Sequence, residues 1–153
     1  MQRWLSYSPF FVLSTYSSDG IDCSPRGDRA GEAFRILDES TIAIPDRRGN
    51  NRIDTLRNLI TDTRVGLLFM IPGINEAMRV KGKASISIND TLRQSFCTDN
   101  DNAPATVILV NVKLAYMQNA RAVRRAKLWF STSHVTDDAL PATDLLTLGR
   151  SDL

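Results

Sequence analysis

Two polar stretches of the sequence bring arginines together with glycine and aspartate. The first is Ser24-Pro25-Arg26-Gly27-Asp28, and the second is the run PDRRGNNR at 45–52, which leads into a predicted helix. At or near the N terminus of that helix stand Arg47, Arg48, Arg52 and Arg57. Free backbone N–H groups and the positive end of the helix dipole favour an anion there, and arginine adds charge-assisted hydrogen bonds. The pattern therefore predicts a phosphate-binding site.

The same arginines have a second interpretation. In a solvated loop they would form ion pairs with acidic neighbours, namely Asp28, Asp46 and Asp54. The composition does not decide between the two. The chain has 15 Arg against 4 Lys, a bias that suits bidentate binding of phosphate or carboxylate but also arises from genome composition.

A third stretch, Arg121 to Trp129, is a short predicted helix with a basic face that runs into Leu128-Trp129-Phe130. Its basic residues are Arg121, Arg124, Arg125 and Lys127. One interpretation is a surface helix that is docked by its tryptophan. The other is functional, with an arginine and Trp129 closing over a planar ligand.

Other familiar catalytic motifs are absent from the sequence. It has no GxxxxGK[ST] phosphate loop, and Gly27 and Gly31 do not open a helix after a strand as a dinucleotide fingerprint requires. The single histidine, His134, leaves no Ser-His-Asp or HExxH constellation, and Cys23 and Cys97 form no CxxC motif. We therefore predict no metal site and identify no catalytic acid or base. Redox chemistry would need an organic cofactor.

Length and charge limit the classes of protein and partner. A chain of 153 residues with 42% hydrophobic and 24% charged residues is the size of one domain, so we expect a single domain over 1–153. The net charge of +2 is too small for a nucleic-acid footprint or a basic membrane patch. There is also no apolar run of about 18 residues and no N-terminal signal pattern. These features predict a cytoplasmic protein that binds neither nucleic acid nor membrane.

Hydrophobic periodicity and turn residues predict a mainly β fold of the α+β class. Alternation from Met78 to Ile88 gives the clearest strand, and the segment 52–62 has helical spacing, with Asn50 or Asn51 as its predicted N-cap. Further strands are expected at 10–15, 21–24, 33–37, 41–44, 65–71 and 106–117, and short helices at 89–97 and 120–127. Short turns join most of these elements. We therefore predict an antiparallel barrel of about six strands with two or three short helices.

Five sequence blocks occur in an order and spacing that resemble a known family. They are SPRGD at 24–28, IPDRRGNNR at 44–52, DTLRNL at 54–59, VGLLFMIPG at 65–73 and MRVKGKASI at 78–86. Over about residues 8–130 the chain resembles the pyridoxamine 5′-phosphate oxidase-related FMN-binding proteins, in particular a bacterial subgroup of FMN-dependent proteins. The resemblance implies an FMN-binding split β-barrel that forms a homodimer, with two FMN molecules at the subunit interface.

The resemblance also implies which residues bind the FMN phosphate. Arg26 matches a strand position whose basic side chain reaches the phosphate, and Asn50-Asn51-Arg52 matches the phosphate-binding stretch of the oxidases. Arg52 is the strongest candidate, and Arg47 or Arg48 would assist it.

Other positions match parts of the family that lie along the rest of the cofactor. Pro45 and Asp46 fall where backbone groups pass the ribityl chain and the isoalloxazine ring, and Arg125 and Trp129 match a C-terminal segment of the subgroup. Asn58 belongs to the shared pattern with either a binding or a structural role. The departures are Asn119 and Ala126, which replace a Cys and a Ser of the subgroup.

The function implied is that of an FMN-dependent oxidoreductase acting on a small molecule that the sequence does not identify. The full substrate-binding set of a true pyridoxamine phosphate oxidase is not matched, so that activity is not implied. Alternatives are a flavin-binding storage or regulatory protein without turnover, and a deazaflavin-dependent reductase on the same fold. Haem is disfavoured because His134, the only histidine, lies outside the matched region.

Overall fold

A computed structural model of the chain describes residues 2–47, 53–98 and 102–140. The chain divides into two compact units, Met1–Ala120 and Arg121–Leu153. The first unit contains all the described strands. The described part of the second contains one short α-helix and two 3-10 turns, at Ser131–Ser133 and Asp137–Ala139. The single domain expected over 1–153 stays a prediction.

Seven strands of the first unit form one antiparallel sheet. They are β1 (Phe10–Ser17), β2 (Gly20–Gly27), β3 (Arg35–Ile36), β4 (Thr41–Pro45), β5 (Arg64–Met70), β6 (Glu76–Ser87) and β7 (Val107–Asn119). Their order across the sheet is β2-β1-β5-β6-β7-β4-β3, so β2 and β3 are its two edges. The structure confirms the predicted antiparallel, mainly β fold, with seven described strands where about six were expected.

Alternating side chains place the core on one face of the central strands. In β1 the buried residues are Phe11, Leu13 and Thr15, and in β6 Met78 and Val80 are buried between exposed basic residues. Phe11 also packs against Phe69 of β5 and against Phe34, with ring centroids 4.9 and 5.7 Å away. The alternation of apolar and polar residues with a period of two therefore predicted both the strands and the face of each strand that is buried.

Four α-helices lie in the described part of the chain. They are α1 (Gln2–Leu5), α2 (Asp54–Thr61), α3 (Asp90–Gln94) and α4 (Arg121–Arg125). Asn89 is the N-cap of α3, since its side chain accepts a hydrogen bond from the backbone N–H of Leu92 at 2.9 Å. The N-cap predicted for α2 is wrong. Ile53, in a left-handed conformation with φ 51°, holds that position instead of Asn50 or Asn51.

A β-bulge interrupts the pairing of the two longest strands. Lys81 of β6 pairs with Leu114 of β7, whereas the next residue, Gly82, pairs with Val112. The strand β7 therefore carries one extra residue, Lys113, at this point. The Gly82 backbone lies so close to β7 that a Cβ atom there would clash with the carbonyl oxygen of Asn111. Glycine at this position lets the two strands approach.

Candidate functional site

A cleft opens between strands β2 and β4, which stand near opposite ends of the strand order. Its volume is about 230 Å³. The residues that line it are Pro25, Arg26, Gly27, Asp28, Ala33, Ile44, Pro45 and Arg47. Parts of the two polar stretches singled out in the sequence, 25–28 from the first and Pro45 and Arg47 from the second, therefore lie at one cleft. Folding brings them together because the sheet runs from β2 to β4 through the four strands β1, β5, β6 and β7.

Arg26 reaches from the cleft to helix α2. Every second residue of β2 is half-buried, and Arg26 belongs to this set. Its Nη2 group donates a hydrogen bond of 3.0 Å to Oγ1 of Thr55, which is 4% exposed and lies in the first turn of α2. The side chain of the N-cap residue Ile53 makes no hydrogen bond to this turn. The guanidinium is therefore held beside the N terminus of α2, where backbone N–H groups of the first turn have no partner within the helix.

Asn58 has a structural role in the described contacts. Its amide Nδ2 donates to Oγ1 of Thr15 on β1 at 3.0 Å and to Oδ2 of Asp22 on β2 at 2.6 Å. Asn58 and Thr15 are both buried. These bonds fasten α2 to the β1–β2 hairpin and so fix the helix relative to Arg26. Of the two roles left open by the sequence, the contacts favour the structural one.

Arg47 forms an ion pair within the cleft. Its Nε lies 3.7 Å from Oδ2 of Asp28, and their side chains are 20% and 30% exposed. The other carboxylate oxygen of Asp28 accepts a hydrogen bond of 2.8 Å from the backbone N–H of Arg29. The ion pair of Arg47 with Asp28 that the solvated-loop interpretation predicted is present, but the Arg47 side chain is mostly buried. Arg26, by contrast, is held by a neutral hydroxyl.

Asp46 follows β4 and is half-buried. Its backbone N–H donates to the carbonyl oxygen of Thr106 at 3.0 Å, which extends the pairing of β4 with β7 by one residue. Burial raises the pKa of the Asp46 carboxyl above its ordinary value, and the positive charge of Arg26 partly opposes this effect. The carboxylate therefore belongs to the electrostatic surroundings of Arg26.

Two further predicted site residues belong to the second unit. Arg125 is the last residue of α4 in the second unit, and Trp129 follows that helix. The remaining predicted site residues, Arg48, Asn50, Asn51 and Arg52, lie outside the described residues.

The described residues meet neither the requirements of a metal site nor those of a membrane-spanning helix. Over 2–47, 53–98 and 102–140 there is no group of three or more His, Cys, Asp or Glu side chains arranged to hold a metal ion. Cys23 and Cys97 are both exposed free thiols. Among the described helices, none is long and apolar enough to cross a membrane.

Sequence reasoning missed Thr55 and the apolar lining residues Ala33 and Ile44. Thr55 carries no motif of its own, and its partner Arg26 is 29 positions away in the chain. Ala33 and Ile44 resemble ordinary core residues, being 6% and 1% exposed. A usable signal existed only for Ile44, because it stands directly before the arginine-rich stretch.

Comparison with known families gives one match. The sequence profile described as pyridoxamine 5′-phosphate oxidase matches residues 1–124 of the chain. A search of curated protein sequences finds no match.

Several solved structures are similar to this chain. HupZ from Group A Streptococcus has a TM-score of 0.62 at 15% identity, with 78% of this chain and 92% of HupZ covered. General stress protein 26 from Bacillus anthracis has a TM-score of 0.57 at 19% identity, covering 74% and 86%. A pyridoxamine 5′-phosphate oxidase-related, FMN-binding protein from Nostoc punctiforme has a TM-score of 0.51 at 12% identity, covering 78% of each chain. Likenesses at these identities show the fold, the split β-barrel expected from the sequence.

Proposed function

Because the chain belongs to the pyridoxamine 5′-phosphate oxidase family, we propose that it is an FMN-binding oxidoreductase that acts on a small molecule. Arg26 carries the proposal, since it lines the cleft and is fixed at the first turn of α2 by the 3.0 Å bond to Thr55. An arginine beside a helix N terminus concentrates positive charge, which suits a phosphate monoester. A similar structure from Nostoc punctiforme is named as an FMN-binding protein, which supports this choice of cofactor.

The described lining suits the phosphate end and the polyol chain of such a cofactor. Arg26 and Arg47 would bind the phosphate, and Ile44 and Ala33 provide an apolar wall. Arg52, with Asn50, Asn51 and Arg48, would add phosphate contacts from the stretch before α2, and Arg125 and Trp129 are further candidates for cofactor binding. When bound, FMN supplies hydride-transfer chemistry, while the protein supplies binding, orientation and exclusion of water.

The size of the cleft supports the proposal of a homodimer with the cofactor at the subunit interface. Pockets that enclose a drug-sized ligand measure roughly 300–1,000 Å³, whereas the cleft of one chain is about 230 Å³. One chain can therefore hold the phosphate and the adjoining polyol, and a second chain would cover the ring. The two edge strands of the sheet, β2 and β3, each pair with a strand on one side only within the described residues, and β2 lines the cleft. An edge strand beside the cleft is open to contact with a second chain.

The first experiment is the visible absorption spectrum of the freshly purified protein, followed by heat release and mass measurement of the released compound. Flavin bands together with the mass of FMN are expected. A deazaflavin mass would identify the alternative cofactor with the same phosphate chemistry. A colourless protein that also fails to bind added FMN would refute the proposed cofactor.

Turnover distinguishes an oxidoreductase from a storage or regulatory flavoprotein. We expect the FMN-loaded protein to oxidise NAD(P)H and to pass electrons to an organic acceptor with saturation kinetics. The control is free FMN at the same concentration, which measures the uncatalysed reaction. Equal rates with and without the protein would favour the storage or regulatory alternative.

A further inference from the structure

The helix residue Thr55 makes a contact with the proposed phosphate-binding arginine that no motif in the sequence announces. We propose that Thr55 is a positioning residue: its hydroxyl holds the guanidinium of Arg26 at the N terminus of α2, so that the cleft binds a phosphate monoester much more tightly than the corresponding alcohol. This inference rests on the proposed function, since it concerns how the same site recognises its ligand.

An arginine side chain needs a partner to hold one geometry. Arg26 Nη2 donates to Thr55 Oγ1 at 3.0 Å, whereas the bond from Nη1 to the carbonyl oxygen of Pro25 is 3.5 Å, at the outer limit for a hydrogen bond. The Thr55 bond is therefore the better of these two contacts. Without it the guanidinium would sample several rotamers, and an anion would have to order the side chain on binding.

Thr55 is itself rigidly placed. It is 4% exposed, its β-branched side chain has few rotamers, and it stands one turn before Asn58 on the same helix. Asn58 in turn bonds to Thr15 and Asp22 of the β1–β2 hairpin, the hairpin that carries Arg26. The helix, the hairpin and the arginine thus form one polar assembly.

The chemistry of the partner favours binding of an anion. The Thr55 hydroxyl is neutral, so this bond orients Arg26 without cancelling its charge, whereas Asp28 forms an ion pair with Arg47 at 3.7 Å. Asp46 acts on Arg26 through its charge and not through a described hydrogen bond or ion pair. A hydroxyl that accepts from arginine also keeps its own hydrogen, which it can donate to a second acceptor. Among the described residues that line the cleft, Arg26 is therefore the cationic side chain best placed to bind a phosphate.

The test compares the affinities of FMN and riboflavin, which differ by the phosphate, in the full-length protein and three variants. We expect Thr55→Val to weaken FMN binding about tenfold, the effect of losing one hydrogen bond to a charged group, with riboflavin affinity unchanged. Thr55→Ser keeps the hydroxyl and should bind FMN within about twofold of the wild type. Thr61→Val is the control, because Thr61 is a threonine at the far end of the same helix whose hydroxyl donates to the carbonyl oxygen of Asn58 and takes no part in the contact with Arg26.

Each outcome bears on the inference. A loss of FMN affinity restricted to Thr55→Val, rescued by serine and absent from Thr61→Val, supports it. If Thr55→Val weakens FMN and riboflavin equally, or if it retains the full preference of the wild type for FMN, the positioning role is wrong while the proposed function stands. Wild-type protein that binds neither flavin would overturn both.

Discussion

At the scale of single residues, the charge of Arg26 is expected to decide the affinity for phosphate. We predict that Arg26→Ala lowers FMN affinity by about ten- to hundredfold, because a charge-assisted hydrogen bond contributes about 1.5–3 kcal/mol. Riboflavin affinity should change much less. The same loss is expected for Arg52→Ala, on the sequence pattern. Fluorescence titration of the apoprotein with both flavins measures these changes.

The control for this prediction is Arg29→Ala. Arg29 is an exposed arginine three positions further along the chain, and only its backbone N–H takes part in the hydrogen bond to Asp28. Removing its side chain should leave FMN affinity within about twofold, because long-range charge effects at an exposed site are weak and screened by salt. If Arg26→Ala and Arg29→Ala lose the same amount of FMN affinity, the overall positive charge of this region, and not the fixed guanidinium of Arg26, determines flavin binding.

Asp46 allows a prediction about stability and pH. Its pKa is raised by burial from 3.8 in an unfolded chain, so the folded protein holds this proton more strongly than the unfolded chain does. The contribution of Asp46 to stability is therefore most favourable below pH 3.8 and declines as the pH rises through the folded pKa. We expect Asp46→Asn to raise the Tm at pH 7, with the gap between variant and wild type closing as the pH falls towards 3. Circular dichroism measures the Tm of both proteins at pH 3 and pH 7. A difference in Tm of the same size at the two pH values would contradict this assignment.

At the scale of secondary-structure elements, the approach of β6 to β7 depends on Gly82. A Cβ atom there would clash with the carbonyl oxygen of Asn111 and lie 3.2 Å from Cγ1 of Val110. We predict that Gly82→Ala lowers the free energy of unfolding by about 1–3 kcal/mol, the usual cost of overpacking. Chemical denaturation followed by circular dichroism measures the change.

Gly66→Ala is the matched control in the neighbouring strand β5. A Cβ atom at Gly66 would meet only Ser14 Cβ, at 4.0 Å. Alanine should therefore be neutral there, or stabilise the strand by up to about 1 kcal/mol, because it restricts the unfolded chain. Similar losses in the two variants would show that the sheet tolerates no side chain at either position, and that the bulge at Gly82 has no special role.

The same elements show how far the sequence determines the structure in advance. The strand β6 was predictable because Met78 and Val80 alternate with charged residues, and this period is a local property of the chain. The bulge was not, because it depends on pairing with β7 about 30 residues away. The N-cap of α2 was mispredicted for a similar reason. Asn50 and Asn51 are good capping residues locally, but α2 begins only after Ile53, and its contacts through Asn58 with β1 and β2 are long-range features that local sequence does not reveal.

At the scale of the whole molecule, the candidate site was only partly predictable. Arg26, Pro45 and Arg47 were expected from polar stretches in the sequence, and the structure places all three at one cleft. Thr55 was not expected, because a lone threonine acquires its role only from a hydrogen bond formed in the folded chain. Residues that a second chain would contribute to the proposed dimer leave no mark in the contacts of one chain.

The last prediction concerns that assembly. If a second chain completes the cleft, FMN retention should depend on protein concentration, because dilution that separates the dimer also uncovers the flavin. We expect native mass spectrometry to show a dimer with two FMN molecules, and flavin release on dilution to follow dimer dissociation measured by light scattering. Arg26→Ala serves as the comparison, since it should release FMN even where the dimer stays intact. A monomer that retains FMN with unchanged affinity would place the whole site within one chain and refute the shared interface.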